Sequence, residues 1–257
     1  MTGLSKGSCV KLVIFDLDQT LVDVTWLHDE TVHEVFRDFF GVDARLGEID
    51  FAGKSITDNI IELAVLKGIS RESTMQKVNE ILEAYDELFR RKLPRDASPH
   101  ILSGARRLLD ELSRTDNVLA LYTGSSPGTA EMVLANTGLS KYFRFAVYGT
   151  KSKSRINMVE LALERAEILT HRGFRGSEIV IIGDSVRDID CSKYFGAVSV
   201  AVATGFHSKE ELMSRQPDYL FGSLEEQQEI LQAIESGCPV RQSGQRTEAS
   251  SPSSHLQ

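Results

Sequence analysis

The chain has 257 residues, of which 41% are hydrophobic and 26% charged, as is usual for a globular protein of one large domain or two modest ones. The 29 basic and 37 acidic residues give a net charge of −8, which argues against general binding to nucleic acid or to an anionic membrane. The three cysteines form no Cys-x-x-Cys pair, and no apolar run resembles a signal peptide or a membrane span. We therefore expect a cytoplasmic protein without nucleic-acid or membrane partners.

The first predicted element is a short apolar strand that leads directly into two aspartates. Residues 10–15 read Val-Lys-Leu-Val-Ile-Phe, a composition typical of a buried strand, and Asp16 and Asp18 follow. In an open parallel sheet, ligands bind at the carboxyl ends of the strands. Two like charges at one point repel each other unless a cation or a proton lies between them. Asp-x-Asp also occurs in ordinary turns, so the later strand ends must decide between a turn and a metal-assisted site.

Residues 23–94 show helical patterns and no convincing strand. Apolar residues recur at helical spacing over 24–40, 57–67 and 70–91, and Gly41 and Gly68 are natural stops. Because this block follows the first strand and precedes all the others, we interpret it as an inserted helical cap.

Helix and strand patterns alternate after residue 100. The predicted helices are 101–113, one between Ser126 and Gly138, 156–169 and 224–234, and the predicted strands are 118–122, 145–148, 179–182 and 198–202. Such alternation predicts an α/β fold with a doubly wound parallel sheet. We assign 1–22 with 95–236 to the α/β core and 23–94 to the helical cap, and we expect 237–257, which lacks large apolar residues, to be a disordered tail.

Three later strand ends also carry functional groups. Thr123 and Gly124 end the second strand, where a hydroxyl and turn amides suit an anion. Lys151 and Lys153 precede a helix N-terminus, where the helix dipole disfavours a cation unless an anion lies beside it. Asp184 ends the fourth strand, and Asp188 lies one helical turn further on, so both carboxylates can face one point.

The six residues Asp16, Asp18, Thr123, Lys153, Asp184 and Asp188 together resemble the four motifs of the haloacid dehalogenase-like hydrolase superfamily, in order and in place. The resemblance extends over about residues 10–234 and implies a Rossmann-like core. The block after the first motif resembles the helical cap of the phosphoglycolate phosphatase-like and β-phosphoglucomutase-like branch.

The resemblance implies a role for each of these residues. Asp16 is the expected nucleophile that forms an aspartyl-phosphate, and Asp18 is the expected general acid/base. Thr123, Gly124 and either Lys153 or Lys151 are expected to hold the phosphoryl group, with Lys153 fitting the spacing better. The expected magnesium ligands are Asp16, the backbone carbonyl of Asp18, and Asp184, and Asp188 is expected to support them.

The sequence departs from the family pattern at two positions and offers further candidates in the cap. Gln19 replaces a common glycine, and Gly124 replaces a common asparagine. The stretch 53–55, Gly-Lys-Ser, resembles a loop that reaches over the active site, which makes Lys54 a candidate for contact with a substrate anion. Trp26, His28 and Arg45 are weaker cap candidates.

The interpretation that best accounts for these motifs is a magnesium-dependent phosphatase, a hydrolase of phosphoric monoesters. The substrate is expected to be a small phosphorylated metabolite, with phosphoglycolate as a candidate by resemblance. Asp18 disfavours dehalogenase chemistry, which needs no second acid. A phosphomutase and a non-catalytic binding protein stay open, while a serine esterase built on Ser185 and His207 leaves the first strand unexplained. We expect a monomer or a homodimer.

Overall fold

The computed structural model describes residues 10–149 and 154–236, so Lys151, Lys153 and the predicted tail 237–257 lie outside the described residues. The strands are β1 (Leu12–Phe15), β2 (Val118–Thr123), β3 (Phe145–Tyr148), β4 (Ile179–Gly183), β5 (Val198–Val202) and β6 (Tyr219–Phe221). The helices are α1 (Thr25–Phe40), α2 (Ile56–Leu66), α3 (Arg71–Lys92), α4 (Ala105–Leu112), α5 (Pro127–Thr137), α6 (Arg155–Thr170), α7 (Val186–Phe195), α8 (Lys209–Ser214) and α9 (Gln227–Ser236).

The six strands form one parallel sheet in the order β3-β2-β1-β4-β5-β6. β1 lies at its centre, with Leu12 paired to Val118 of β2 on one side and to Ile179 of β4 on the other. Every residue of β1, β2, β4 and β5 is buried, as expected for strands covered by helices on both faces. The predicted doubly wound sheet is confirmed, and β1 stands where the strand order changes direction, the usual place for a ligand site.

Helices α1, α2 and α3 form the predicted insertion between β1 and β2. Their apolar faces pack against one face of the sheet in a continuous hydrophobic cluster. Phe36 and Tyr85 of the insertion are fully buried in this cluster. Asp86 of α3 also accepts hydrogen bonds from Ser126 and Thr129 at the start of α5, the latter at 2.8 Å. The helical insertion is therefore attached to the sheet core by apolar packing and by a polar contact.

Several element boundaries differ from the predictions. Helix α4 begins at Ala105 rather than at residue 101 because Gly104 adopts a left-handed φ of 83°, and a Cβ there would collide with the Leu224 backbone. The last helix begins at Gln227 rather than at 224. Helix α8 and strand β6 were not predicted, since six and three residues are too short for a periodic pattern. No helix in the part of the chain that the structure describes has the length and apolar character needed to cross a membrane.

Candidate active site

The candidate site lies at the carboxyl ends of the three central strands. Asp16 directly follows β1, Thr123 is the last residue of β2, and Asp184 directly follows β4. All three side chains are buried, with Asp16 and Asp184 each only 4% exposed. The parallel register of the sheet therefore brings together residues from three widely separated parts of the sequence.

Three carboxylates form a compact acidic cluster at these strand ends. One oxygen from each of Asp16, Asp184 and Asp188 lies within 4.8 Å of the others. Asp188 is held in the first turn of α7, where its Oδ2 accepts hydrogen bonds from the Ser185 amide at 2.9 Å and hydroxyl at 2.6 Å. This capping role leaves the fully buried Ser185 unsuited to act as an esterase nucleophile.

The electrostatics of the cluster suit a hard divalent cation. Burial and the charge of Asp188 raise the pKa of Asp16, and Arg155 lowers it. Burial is the largest of these effects, and the resulting pKa is about 7. Burial and the charges of Asp16 and Asp188 likewise hold the pKa of Asp184 well above its usual range. The carboxylates of the cluster repel one another when they are buried and ionised. A cation that prefers oxygen ligands would relieve this repulsion. The residues present therefore fit a metal ion.

Arg155 is the cation that the sequence analysis missed. It is the first residue of α6 and is 8% exposed, and its Nη2 lies 2.7 Å from Asp16 Oδ2. Its Nη1 lies 3.1 Å from Asp188 Oδ1 but makes no hydrogen bond within the described residues, so this contact is an ion pair by distance only. The guanidinium also lies 4.4 Å from the centre of the Tyr122 ring. The argument that selected Lys153, a cation at a helix N-terminus, applies equally to Arg155.

The carboxylate of Asp18 contacts His28 of the cap and Ser125 of the core and is not part of the acidic cluster. Its Oδ1 lies 3.1 Å from His28 Nε2, and its Oδ2 accepts a 2.9 Å hydrogen bond from Ser125 Oγ. The other ring nitrogen of His28 contacts the Tyr85 hydroxyl of α3. Burial raises the pKa of Asp18, but the charge and hydrogen bond of His28 and the Ser125 bond outweigh it, so the net shift is downward. The two aspartates of the first motif thus stand in different environments.

A loop of the cap lies directly over the strand ends. The Ile56 amide donates to the Gly124 carbonyl at 2.9 Å, and Arg155 Nε donates to the Gly53 carbonyl at 3.1 Å. A Cβ at Gly124 would collide with the Lys54 carbonyl, so the glycine at this position allows the two backbones to touch. Thr123 beside it accepts a 3.1 Å bond from the Ser125 amide, which leaves its hydroxyl hydrogen available to a ligand.

Comparison with known proteins places the chain in a family. Residues 13–202 match the model of the family described as haloacid dehalogenase-like hydrolase. The chain belongs to that family. The similarity extends to a phosphoglycolate phosphatase of Synechococcus elongatus, 24% identical over 88% of this chain and 97% of the relative, and to the pyrophosphatase PpaX of Oceanobacillus iheyensis, 22% identical over 84% and 94%. A predicted phosphatase of Clostridium acetobutylicum has the same fold, with a TM-score of 0.69 over 87% of this chain and 99% of that one, at 21% identity.

Gln19, one of the two departures of this haloacid dehalogenase-like hydrolase from its family pattern, is accommodated locally. It adopts a left-handed φ of 61°, a conformation that favours glycine. Its side-chain amide donates to Asp23 at 2.6 Å and to Thr25 at 2.8 Å, and Thr204 donates to its carbonyl at 2.6 Å. Hydrogen bonds therefore hold the turn after Asp18 without a glycine.

The candidates in the cap separate into two groups. His28 and Lys54 line the cavity above Asp16, and Lys54 Nζ lies 2.6 Å from Glu62 Oε2. Trp26 instead packs near His100 on the surface, and Arg45 pairs with Asp29 at 2.9 Å. Neither Trp26 nor Arg45 lines this cavity in the described structure.

Proposed function

We propose that this hydrolase is a magnesium-dependent phosphatase that cleaves a small phosphomonoester through a phosphorylated Asp16. The observation that carries the proposal is the pairing of a buried Asp16 with Arg155 at 2.7 Å, with Asp18 and Thr123 facing the same cavity. Phosphoryl transfer depends mainly on positioning and on charge neutralisation, and these residues supply both.

The phosphoryl group would be held by hydrogen-bond donors around Asp16. Thr123 has a free hydroxyl hydrogen and the Nη1 of Arg155 lacks a hydrogen-bond partner within the described residues, so both suit phosphoryl oxygens. Gly124, just after β2, has no side chain and so allows the backbone at Lys54 to come close to the site. The predicted contribution of Lys153 stays a prediction, and Arg155 fills the role of charge partner to Asp16.

The proposed reaction has two steps that use the aspartates differently. An oxygen of Asp16 attacks phosphorus, the bond from phosphorus to the leaving oxygen breaks, and Asp18 gives that oxygen a proton. Asp18 then takes a proton from water as the water attacks the aspartyl-phosphate and frees Asp16. The His28 ring, 3.1 Å from Asp18, holds this carboxylate in place during both steps.

Asp16, Asp184 and the backbone carbonyl of Asp18 would hold the magnesium ion, with Asp188 supporting them through its position in α7. When bound, magnesium would neutralise the charge of the phosphoryl oxygens beside three carboxylates. The buried oxygen donors of the cluster support this assignment.

The proposal is tested by replacing the nucleophile. Asp16→Asn is expected to lower phosphate release at least about 10³-fold with magnesium and a panel of phosphomonoesters, because the amide cannot form the intermediate. Asp38→Asn, which removes an exposed carboxylate of α1, is the control and is expected to retain activity. Undiminished activity of Asp16→Asn would refute the assignment.

The panel also separates the alternatives. Phosphoglycolate belongs in it, and pyrophosphate, a phosphoanhydride, is assayed beside it, because relatives carry the corresponding names. A wild-type protein that transfers phosphate between sugar hydroxyls without releasing it would instead be a phosphomutase. A wild-type protein that binds phosphomonoesters but turns none over would be a binding protein on the same fold.

A further inference from the structure

Part of the cavity lining is apolar. Leu46, Phe51 and Ile56 of the cap and Phe206 of the core are among the lining residues, and the Phe51 and Phe206 rings meet at 4.7 Å between centroids. The cavity measures about 70 Å³ in this arrangement of cap and core. This volume is small beside the pockets that hold drug-sized ligands, which favours a small substrate.

The cations that line the cavity already face carboxylates. Lys54 Nζ lies 2.6 Å from Glu62, Arg155 lies between Asp16 and Asp188, and His28 is bonded to Asp18. Among the described residues, each lining cation therefore faces a carboxylate, and Arg155 is also assigned to the phosphoryl group, so none is dedicated to an anionic leaving group. The proposed magnesium and Arg155 would offset the charge of the phosphoryl group beside Asp16, Asp18 and Asp184, and a second anionic group in the cavity would add uncompensated negative charge.

Asn59 of α2 gives a second, independent indication of the leaving group. It lines the cavity, is 5% exposed, and its Nδ2 lies 3.5 Å from the Phe51 carbonyl. Its Oδ1 is buried and has no hydrogen-bond partner within the described residues. A buried acceptor without a donor is unfavourable, and a ligand hydroxyl would satisfy it whereas a carboxylate or phosphate offers no proton.

We propose that the substrate is a small phosphomonoester whose leaving group is uncharged and carries a hydroxyl. This inference rests on the proposed phosphatase function and goes further by setting its substrate class. The proposed substrate differs from those in the names of the relatives, since phosphoglycolate and pyrophosphate both release an anionic leaving group. The competing prediction is that Lys54 leaves Glu62 and binds a substrate anion.

Three matched substrates test the inference. 2-Hydroxyethyl phosphate, 2-phosphoglycolate and ethyl phosphate have two-carbon leaving groups that end in a hydroxyl, a carboxylate and a methyl. We expect kcat/KM for 2-hydroxyethyl phosphate to exceed that for 2-phosphoglycolate at least about tenfold, because like charges repel in a desolvated site. Equal or better turnover of 2-phosphoglycolate would overturn the inference while leaving the phosphatase function intact.

Two variants test the residues that carry the argument. Glu62→Gln, which frees the Lys54 charge, is expected to raise the ratio of 2-phosphoglycolate to 2-hydroxyethyl phosphate turnover about tenfold, whereas Glu72→Gln, an exposed position of α3, leaves it unchanged. Asn59→Leu is expected to lower kcat/KM about tenfold more for 2-hydroxyethyl phosphate than for ethyl phosphate. An unchanged ratio in both Glu62→Gln and Asn59→Leu would refute the assigned roles.

Binding measured by calorimetry on Asp16→Asn with magnesium keeps the inference separate from catalysis. We expect 2-hydroxyethyl phosphate to bind this variant more tightly than 2-phosphoglycolate. If the wild-type protein hydrolyses none of the three substrates, nor p-nitrophenyl phosphate, the phosphatase proposal fails. The order of affinities then still supports or overturns the preference of the cavity for an uncharged, hydroxyl-bearing ligand over an anionic one.

Discussion

Arg155 is the buried cation that faces two buried carboxylates of the acidic cluster. Its guanidinium lies between Asp16 and Asp188, and these charges raise its pKa above its ordinary value even though burial lowers it. Breaking a buried ion pair from one side leaves an uncompensated charge, which is more costly than the loss of the pair itself. The residue thus links the stability of the site to its chemistry.

We predict that Arg155→Met destabilises the metal-free protein by about 3–5 kcal/mol, because Asp16 and Asp188 lose their shared cation. Urea unfolding followed by circular dichroism measures the change. Arg165→Met, an exposed arginine of the same helix, is the control and is expected to shift the midpoint little. An unchanged midpoint for Arg155→Met would show that the acidic cluster does not need this arginine.

In the proposed mechanism His28 positions Asp18, so its replacement is predicted to affect catalysis more than binding. His28→Asn is expected to lower kcat about 10- to 100-fold with little change in KM, since it releases the carboxylate that we propose as the proton donor and acceptor. The acid limb of the kcat–pH profile should move to higher pH, because the pKa of Asp18 rises when the lowering effect of His28 is lost.

His33→Asn provides the control on the same helix, since His33 faces the exposed Asp43 at 3.8 Å rather than the site. It is expected to retain both kcat and the pH profile. If His28→Asn also retains the wild-type profile, the contact with Asp18 has no part in proton transfer.

The element that closes the site is the 53–55 loop, which begins just before α2. Its contact with β2 requires two backbones to meet at Gly124, where the carbonyl accepts the Ile56 amide at 2.9 Å. The sequence analysis noted that Gly124 replaces an asparagine that is common in the family pattern. The structure gives the reason for the glycine, since any side chain would occupy the space of the Lys54 carbonyl.

We predict that Gly124→Ala prevents the loop from seating against β2 and raises KM about tenfold or more, because the pocket loses its cap wall. Steady-state kinetics with the best substrate of the panel measures the effect. Gly47→Ala is the matched control, because a Cβ at Gly47 has no heavy atom within 4 Å. Wild-type KM in Gly124→Ala would mean that the loop does not need this close contact.

At the scale of the whole molecule, the proposed metal site in the acidic cluster would make the stability of the fold depend on magnesium and on pH. A ligand present at one hundred times its Kd stabilises a fold by about 2.7 kcal/mol. For a chain of this size that corresponds to a rise in Tm of roughly 5–10 °C. We predict that adding magnesium at pH 8 raises Tm by this amount. Differential scanning calorimetry in calcium-free buffer measures the change, and a sample with a metal chelator is the control.

The same experiment has a pH dependence whose sign follows from Asp16. Because burial raises its folded pKa to about 7, above the ordinary value of 3.8, its contribution to stability is full below pH 3.8 and is lost as pH rises through about 7. Metal binding requires the ionised carboxylate, so the magnesium-induced rise in Tm should be larger at pH 8 than at pH 5. An equal rise at both values would place the metal away from Asp16.

Much of the fold and part of the site were predictable because the signals are local. Hydrophobic strands that end in Asp16, Thr123 and Asp184 specify both the elements and the edge at which they meet, since parallel strands present their carboxyl ends together. The i, i+4 spacing of Asp184 and Asp188 likewise predicts that both face one point, and the structure brings their oxygens together with that of Asp16. The predicted domain boundaries and catalytic roles stay predictions.

The sequence by itself determined the α/β class, the inserted helical cap and the acidic strand ends, because periodicity and strand-end chemistry are properties of neighbouring residues. Only the tertiary structure decided which cation faces Asp16, why residue 124 is a glycine, and that His28 reaches Asp18. These contacts join separate elements, so they depend on how helices and strands pack rather than on any local pattern. The structure also reveals the Lys54–Glu62 pair and the buried, unpartnered acceptor of Asn59 within the described residues, and both direct the proposed substrate toward an uncharged leaving group with a hydroxyl.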